Sequence, residues 1–235
     1  MTERKPIIST LPPVHTVVIR VWLPDRPGAL GQVASRIGAV RGDVLDIEVL
    51  EVGGGRAIDE LVVALPDPSL VDLMVSEVHA IDGVSVEHVR LTDGAHTDGG
   101  LLALALAAEF AESEHDCRLE TLVDCVARLT ESDWVLIARG TDTVMGRGSA
   151  PSADWLHSLL AGSRHLGDPH ATASDLFWAD LPMAGMWLAA GRPDRPVHER
   201  ERVRLDLFAR IADALLGGER IGERADQSMR RTRAD

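Results

Sequence analysis

The stretch "LPDRPGAL", Leu23 to Leu30, packs a proline, a glycine and a charged pair into eight residues. Before it, "TVVIRVWL" (16–23) is β-branched and apolar and reads as a mostly buried strand. After it, Leu30, Val33, Ile37 and Val40 recur at helical spacing, with Ala34 on the same stripe. The stretch is therefore a strand-to-helix corner, and its residues admit two uses. Asp25 can cap the helix, with Pro27 near its first turn and Gly28 relieving a tight bend. Alternatively, Gly28 lets the backbone approach a ligand closely, because it has no Cβ. The N–H groups of Ala29, Leu30 and Gly31 then lack intrahelical partners at the positive end of the dipole and suit a carboxylate.

The elements that follow set the fold. "DVLDIEVLEV" (43–52) alternates, with Leu45, Ile47 and Val49 on one face and Asp46 and Glu48 on the other. "GGG" (53–55) separates it from "AIDELVVAL" (57–65), as in a hairpin. "PDPS" (66–69) precedes a helix with Leu70, Leu73, Met74, Val78 and Ile81 on one stripe, and "DG" (82–83) stops it before the strand "VSVEHVRL" (84–91). Strand, helix, strand, strand, helix, strand is the split βαβ or ferredoxin-like order. A loop-forming "TDGAHTDGG" (92–100) links this half to the next.

The second half reads as helices around strands. Residues 101–112 and the stripe Leu119, Leu122, Val123, Val126, Leu129 give two helices; "DWVLIARG" (133–140) and "DTVMGRGS" (142–149) give a hairpin. A short helix at 155–160 precedes strands at 173–182 and 184–191. A last helix carries Leu207, Phe208, Ile211 and Leu215. The fold class is α+β in both halves, with domains at 14–93 and 100–217. Residues 218–235 lack the apolar content for a core and are expected to be disordered.

Composition excludes several functions. The net charge of −13, with one lysine against 23 arginines, argues against nucleic acid as a partner. Cys117 and Cys125 fall about 12 Å apart along a predicted helix and are too distant to bridge. The reducing cytoplasm follows as the expected compartment. No segment has signal-peptide character or the roughly 20 apolar residues of a bilayer span, so no membrane association is expected. No nucleophile sits in an elbow motif, no phosphate loop opens a helix, and no cofactor motif is present. The one metal-like cluster, His165, Asp168 and His170, lacks further ligands, and its donors read as loop residues. Trp178 and Trp187 read as core residues that also suit a pocket lining. A non-enzymatic protein is expected.

The first half resembles the ACT domain, a small regulatory module that binds amino acids. The likeness spans 16–91 and rests on "DRPGAL" after the first strand, on "DIEVLEVGGGRAIDELVVALPD" across the hairpin and on the element order. It implies a ligand beside the first turn, at Asp25, Arg26, Pro27, Gly28, Ala29 and Leu30. Asp46 with Ile47 on the second strand would meet its amino group, and a homodimer would form around it. The second half resembles a GAF-type domain through "GMWLAAGRPDRPVHERERVRLDLFARIADALL" (185–216), without a cysteine placed for a tetrapyrrole or a cyclic-nucleotide signature. Together these imply a regulatory protein that binds a small amino acid and relays it to its second half. The alternative is an accessory subunit whose first domain pairs with an amino-acid biosynthetic enzyme as protein partner.

Overall fold

A computed structural model describes residues 15–92, 98–165 and 175–232. The chain divides into two compact units, residues 1–96 and 97–235.

In the first unit, β1 (His15–Pro24) leads through the corner into α1 (Ala29–Ala39). The chain continues through β2 (Asp43–Gly53), β3 (Arg56–Leu65), α2 (Val71–His79) and β4 (Ser85–Thr92). The sheet is antiparallel with order β2-β3-β1-β4, the ferredoxin-like arrangement. Period-2 alternation sends Val17, Ile19, Val21 and Leu23 of β1 toward the helices, where they meet Leu61, Val63 and Leu65 of β3. Ala29, Val33 and Ile37 of α1 and Met74 and Val78 of α2 close this core from above. The edge strand β2 is interrupted twice, by register shifts between Val44 and Asp46 and between Val49 and Glu51. Helix cover is incomplete there, and Leu45, Ile47, Val49 and Val52 are exposed.

The second unit carries α3 (Gly99–Glu112), α4 (Arg118–Thr130), β5 (Trp134–Arg139), β6 (Asp142–Arg147), α5 (Ala153–His165), β7 (Leu176–Leu181), β8 (Met186–Gly191) and α6 (Glu199–Thr232). Its sheet is antiparallel with order β6-β5-β8-β7. Alternation serves two cores here. Val135, Ile137, Phe177, Leu188 and Ala190 join residues of α3, α4 and α6 such as Phe110, Val126 and Phe208. Leu136, Ala138, Trp187 and Ala189 pack with Leu156 and Leu160 of α5, and Trp134 and Trp178 pack against them. Trp178 and Trp187 are thus packing residues of this second core, and the Trp187 indole N–H donates to the Gly140 carbonyl at 2.8 Å.

The end of the chain departs from expectation. Helix α6 runs 34 residues to Thr232, well past the predicted boundary at 218. Low apolar content says only that a segment cannot build a core. Glutamate, arginine, alanine and glutamine keep high helix propensity, and that prolongs a helix already nucleated on packed turns.

Candidate functional site

The corner is a type II turn followed at once by a helix. The Ala29 N–H donates to the Arg26 carbonyl at 3.2 Å and closes the turn around Pro27 and Gly28. Gly28 has φ 84° and ψ −8°, close to the roughly +80° and 0° that the third position of such a turn requires. Proline ahead of it presets the preceding φ. Gly28 is also the N-cap of α1, and no side chain caps the helix. Asp25 is therefore not a cap; its N–H instead donates to Gly55 at 3.0 Å, tying the corner to the β2–β3 hairpin. The Gln32 N–H makes the first intrahelical bond, to Gly28 at 3.1 Å. Of the three N–H groups expected to be open, Ala29 is engaged in the turn. The two that remain, on Leu30 and Gly31, match the two oxygens of a carboxylate.

An open groove of about 500 Å³ lies beside this turn, lined by Arg26, Gly28, Gly31, Gln32, Ser35, Arg36 and the α2–β4 turn Ala80–Asp82. Two guanidinium groups give it positive character, set against Asp82 and the Arg36–Glu77 pair at 2.9 Å. The sequence pointed to Arg26 and Gly28 in this groove. It missed the α2–β4 turn, which only the packing of α1 on α2 brings near.

Asp46 lies elsewhere. It pairs with Val62 of β3, and Val62 pairs with Val18 of β1, six residues before Pro24. At the rise of an extended strand that is roughly 20 Å from the corner. Helix α1 carries the chain back along the sheet before β2 begins, and β3, not β2, is the neighbour of β1. One copy of the chain therefore does not bring Asp46 and Ile47 to Gly28, and Asp46 Oδ1 accepts from the Ile47 N–H at 2.8 Å.

A carboxyl that does approach the corner is Asp59 of β3. It stands opposite Val21 and Val49 on the helix-covered face and is 3% exposed. Its Oδ1 has no hydrogen-bond partner. Burial, and then the charge of Asp25 at the corner, raise its pKa above the usual aspartate value. The sequence did carry a signal for it. Both alternating phases of "AIDELVVAL" are apolar, so an acid on either face of that strand has to be buried.

Elsewhere the chemistry is sparse. Among the described residues no group of three or more histidine, cysteine or acidic side chains is placed to hold a metal, and Asp168 and His170 lie outside them. Cys117 is exposed; Cys125 is buried, and burial pushes its thiol up to about 11. No described helix is long and apolar enough to cross a membrane.

Fold and corner together define an α+β protein whose first unit is a ferredoxin-like module with a polar groove at its first strand-to-helix turn. No protein-family model matches the chain, and no curated protein does. Among solved structures it is similar to the ACT domain from a GTP pyrophosphokinase of Chlorobium tepidum, at 14% identity and a TM-score of 0.27. That similarity covers 35% of this chain and 91% of that one. It is similar to an uncharacterized protein from Thermotoga maritima at 21% identity and a TM-score of 0.26, covering 34% of this chain and 96% of that one. A formyltetrahydrofolate deformylase from Pseudomonas putida KT2440 is similar at 16% identity and a TM-score of 0.26, covering 40% of this chain and 38% of that one.

Proposed function

We propose that this is a non-enzymatic regulatory protein whose first unit binds a small amino acid at the Asp25–Leu30 corner. The observation that carries the reading is the type II turn at Arg26–Ala29. It leaves the Leu30 and Gly31 N–H groups open at the start of an eleven-residue helix, beside a groove holding Arg26 and Arg36. Those donors receive the ligand carboxylate, and Arg26 adds a charge-assisted contact. Two copies pair along β2, whose exposed Leu45, Ile47, Val49 and Val52 form an apolar edge. In an antiparallel pairing the start of one β2 lies beside the end of the other, so Asp46 reaches the corner end only from the second copy. Ligand binding then changes the state of the second, GAF-like unit by a coupling of about 1–3 kcal/mol.

The test is a thermal-shift screen of the full chain against the twenty amino acids, run beside sedimentation. The expected outcome is a shift with one or a few of them, lost in Gly28→Val, and a dimer dissociated by Val49→Lys. A chain that is monomeric and shifted by none of the twenty is not an amino-acid sensor.

A further inference from the structure

We infer that the outer face of α3 and α6 is a second self-association surface, on which another copy of this chain packs with the two α6 helices antiparallel. Residues 101–108 of α3, "LLALALAA", are apolar on every side. A helix of that kind is normally buried all round. Here Leu106 and Phe110 are in the core, but Leu101 and Leu104 are 62% and 66% exposed. Helix α6 repeats the pattern. Its inner face buries Leu205, Phe208, Ala209 and Ala212, and its outer face carries Val203, Leu207 and Ile211, each about half exposed.

The two outer faces adjoin. A Cβ on Gly99 would lie 2.4 Å from the Arg204 guanidinium, and the Phe110 and Phe208 rings meet edge to face at 6.2 Å. Leu207 and Ile211 stand three and seven residues beyond Arg204, on the stripe of α6 that turns toward α3. On α3, Glu109 pairs with Arg128 of α4 at 2.7 Å, and Leu104 stands on the other shoulder, about 140° round the helix. The five side chains offer on the order of 500 Å² per copy, or about 1,000 Å² for two, the least a specific interface needs.

The rim of this face says what covers it. Asp206 and Arg210 border the stripe on the side away from Arg204, one helical turn apart and both exposed. Neither forms an ion pair with another described residue. When two α6 helices pack antiparallel about Leu207, each copy's Asp206 faces the other's Arg210. The patch is then its own complement, as a twofold interface requires. A lipid surface selects a basic rim, and this one carries both signs. A contact of this size is weak alone, and it adds to the pairing along β2 within one dimer, where the second units are held at raised effective concentration.

The experiment uses the full chain carrying Cys117→Ser, whose remaining thiol, Cys125, is buried. Leu207→Cys, at the twofold axis, is expected to form an interchain disulfide on mild oxidation. Its yield should be several times that of Thr141→Cys, an exposed control in the β5–β6 turn. Val203→Cys alone should link no better than the control, because antiparallel packing sets it against Ile211; Val203→Cys with Ile211→Cys should link strongly. Asp206→Arg and Arg210→Asp should each lower the Leu207→Cys yield several-fold, and the two together should restore it. A Leu207→Cys yield no higher than the control overturns the interface. So does Val203→Cys linking alone as well as Leu207→Cys, the mark of a parallel pairing, or a double charge reversal that restores nothing. Gly28 and Val49 are untouched in all these variants, so failure here leaves the amino-acid reading standing. A chain that binds none of the twenty amino acids leaves this interface to its crosslinks.

Discussion

Asp59 in the first unit and Asp213 in the second are both buried carboxyls, 3% and 5% exposed, and they are treated in opposite ways. Asp213 of α6 accepts the N–H groups of Met183 and Ala184 at 3.1 and 2.9 Å and so holds the β7–β8 turn. One turn further along α6, Gly217 leaves room for that turn, since a Cβ there would lie 2.4 Å from the Met183 Cβ. Arg192 is satisfied to the same degree. It donates to both oxygens of Glu201 at 2.7 Å and to the carbonyls of Thr130 and Pro196, and it lies 5.0 Å over the Phe177 ring. Asp59 has none of this. Where a buried charge is fully bonded it holds the fold together; where it is left unbonded it weakens it.

Four substitutions put that contrast at risk. Arg192→Ala leaves the Glu201 carboxylate buried without its guanidinium, and is expected to cost about 3–5 kcal/mol in denaturant unfolding, the usual scale for breaking a buried pair. A near-neutral result would mean that Glu201 reaches water. Asp213→Ala removes the acceptor of two backbone donors, one buried and one partly buried, and should cost about 2–4 kcal/mol. Gly28→Ala meets no atom within 4 Å, so its cost of about 1–2 kcal/mol comes from the positive φ alone. A larger loss would reveal a contact at the corner. The smallest effect has the opposite sign: Asp59→Asn should raise stability by about 1 kcal/mol at neutral pH by removing an unpaired buried charge.

The pH dependence sharpens the last of these. Because burial raises the pKa of Asp59 in the folded state, the folded chain holds that proton more tightly than the unfolded chain. The destabilising contribution is full above the raised value and vanishes below the ordinary aspartate value. The melting curves of wild type and Asp59→Asn should therefore converge as the solution is acidified toward pH 4, with about 1 kcal/mol between them at neutrality. Parallel curves across that range would place the Asp59 carboxyl in water.

Much of the architecture was legible in the residues. The switch from β-branched residues in 16–23 to the 3.6-residue spacing of Leu30, Val33 and Ile37 marks the corner, and both halves show similar changes of period at most of their elements. What escaped was spatial. The "DRPGAL" corner and Asp46 are close in sequence, but α1 returns the chain to the far end of the sheet and β3 inserts between β1 and β2. Conversely, Asp59 is over thirty residues from Asp25, and sheet register is what places its charge within reach of it. The helix beyond residue 218 escaped for a different reason: local propensity prolongs a helix without the apolar residues that a core requires.

The two interruptions in β2 carry a consequence for solubility. Between them the strand pairs regularly over only four residues, Asp46 to Val49. Stacked cross-β assemblies nucleate on flat segments of about six or seven residues. An edge exposing Leu45, Ile47, Val49 and Val52 would otherwise template the addition of further chains, and breaks in register are among the devices that prevent it. The exposed edge can thus offer side chains to one partner surface without becoming the seed of a fibre.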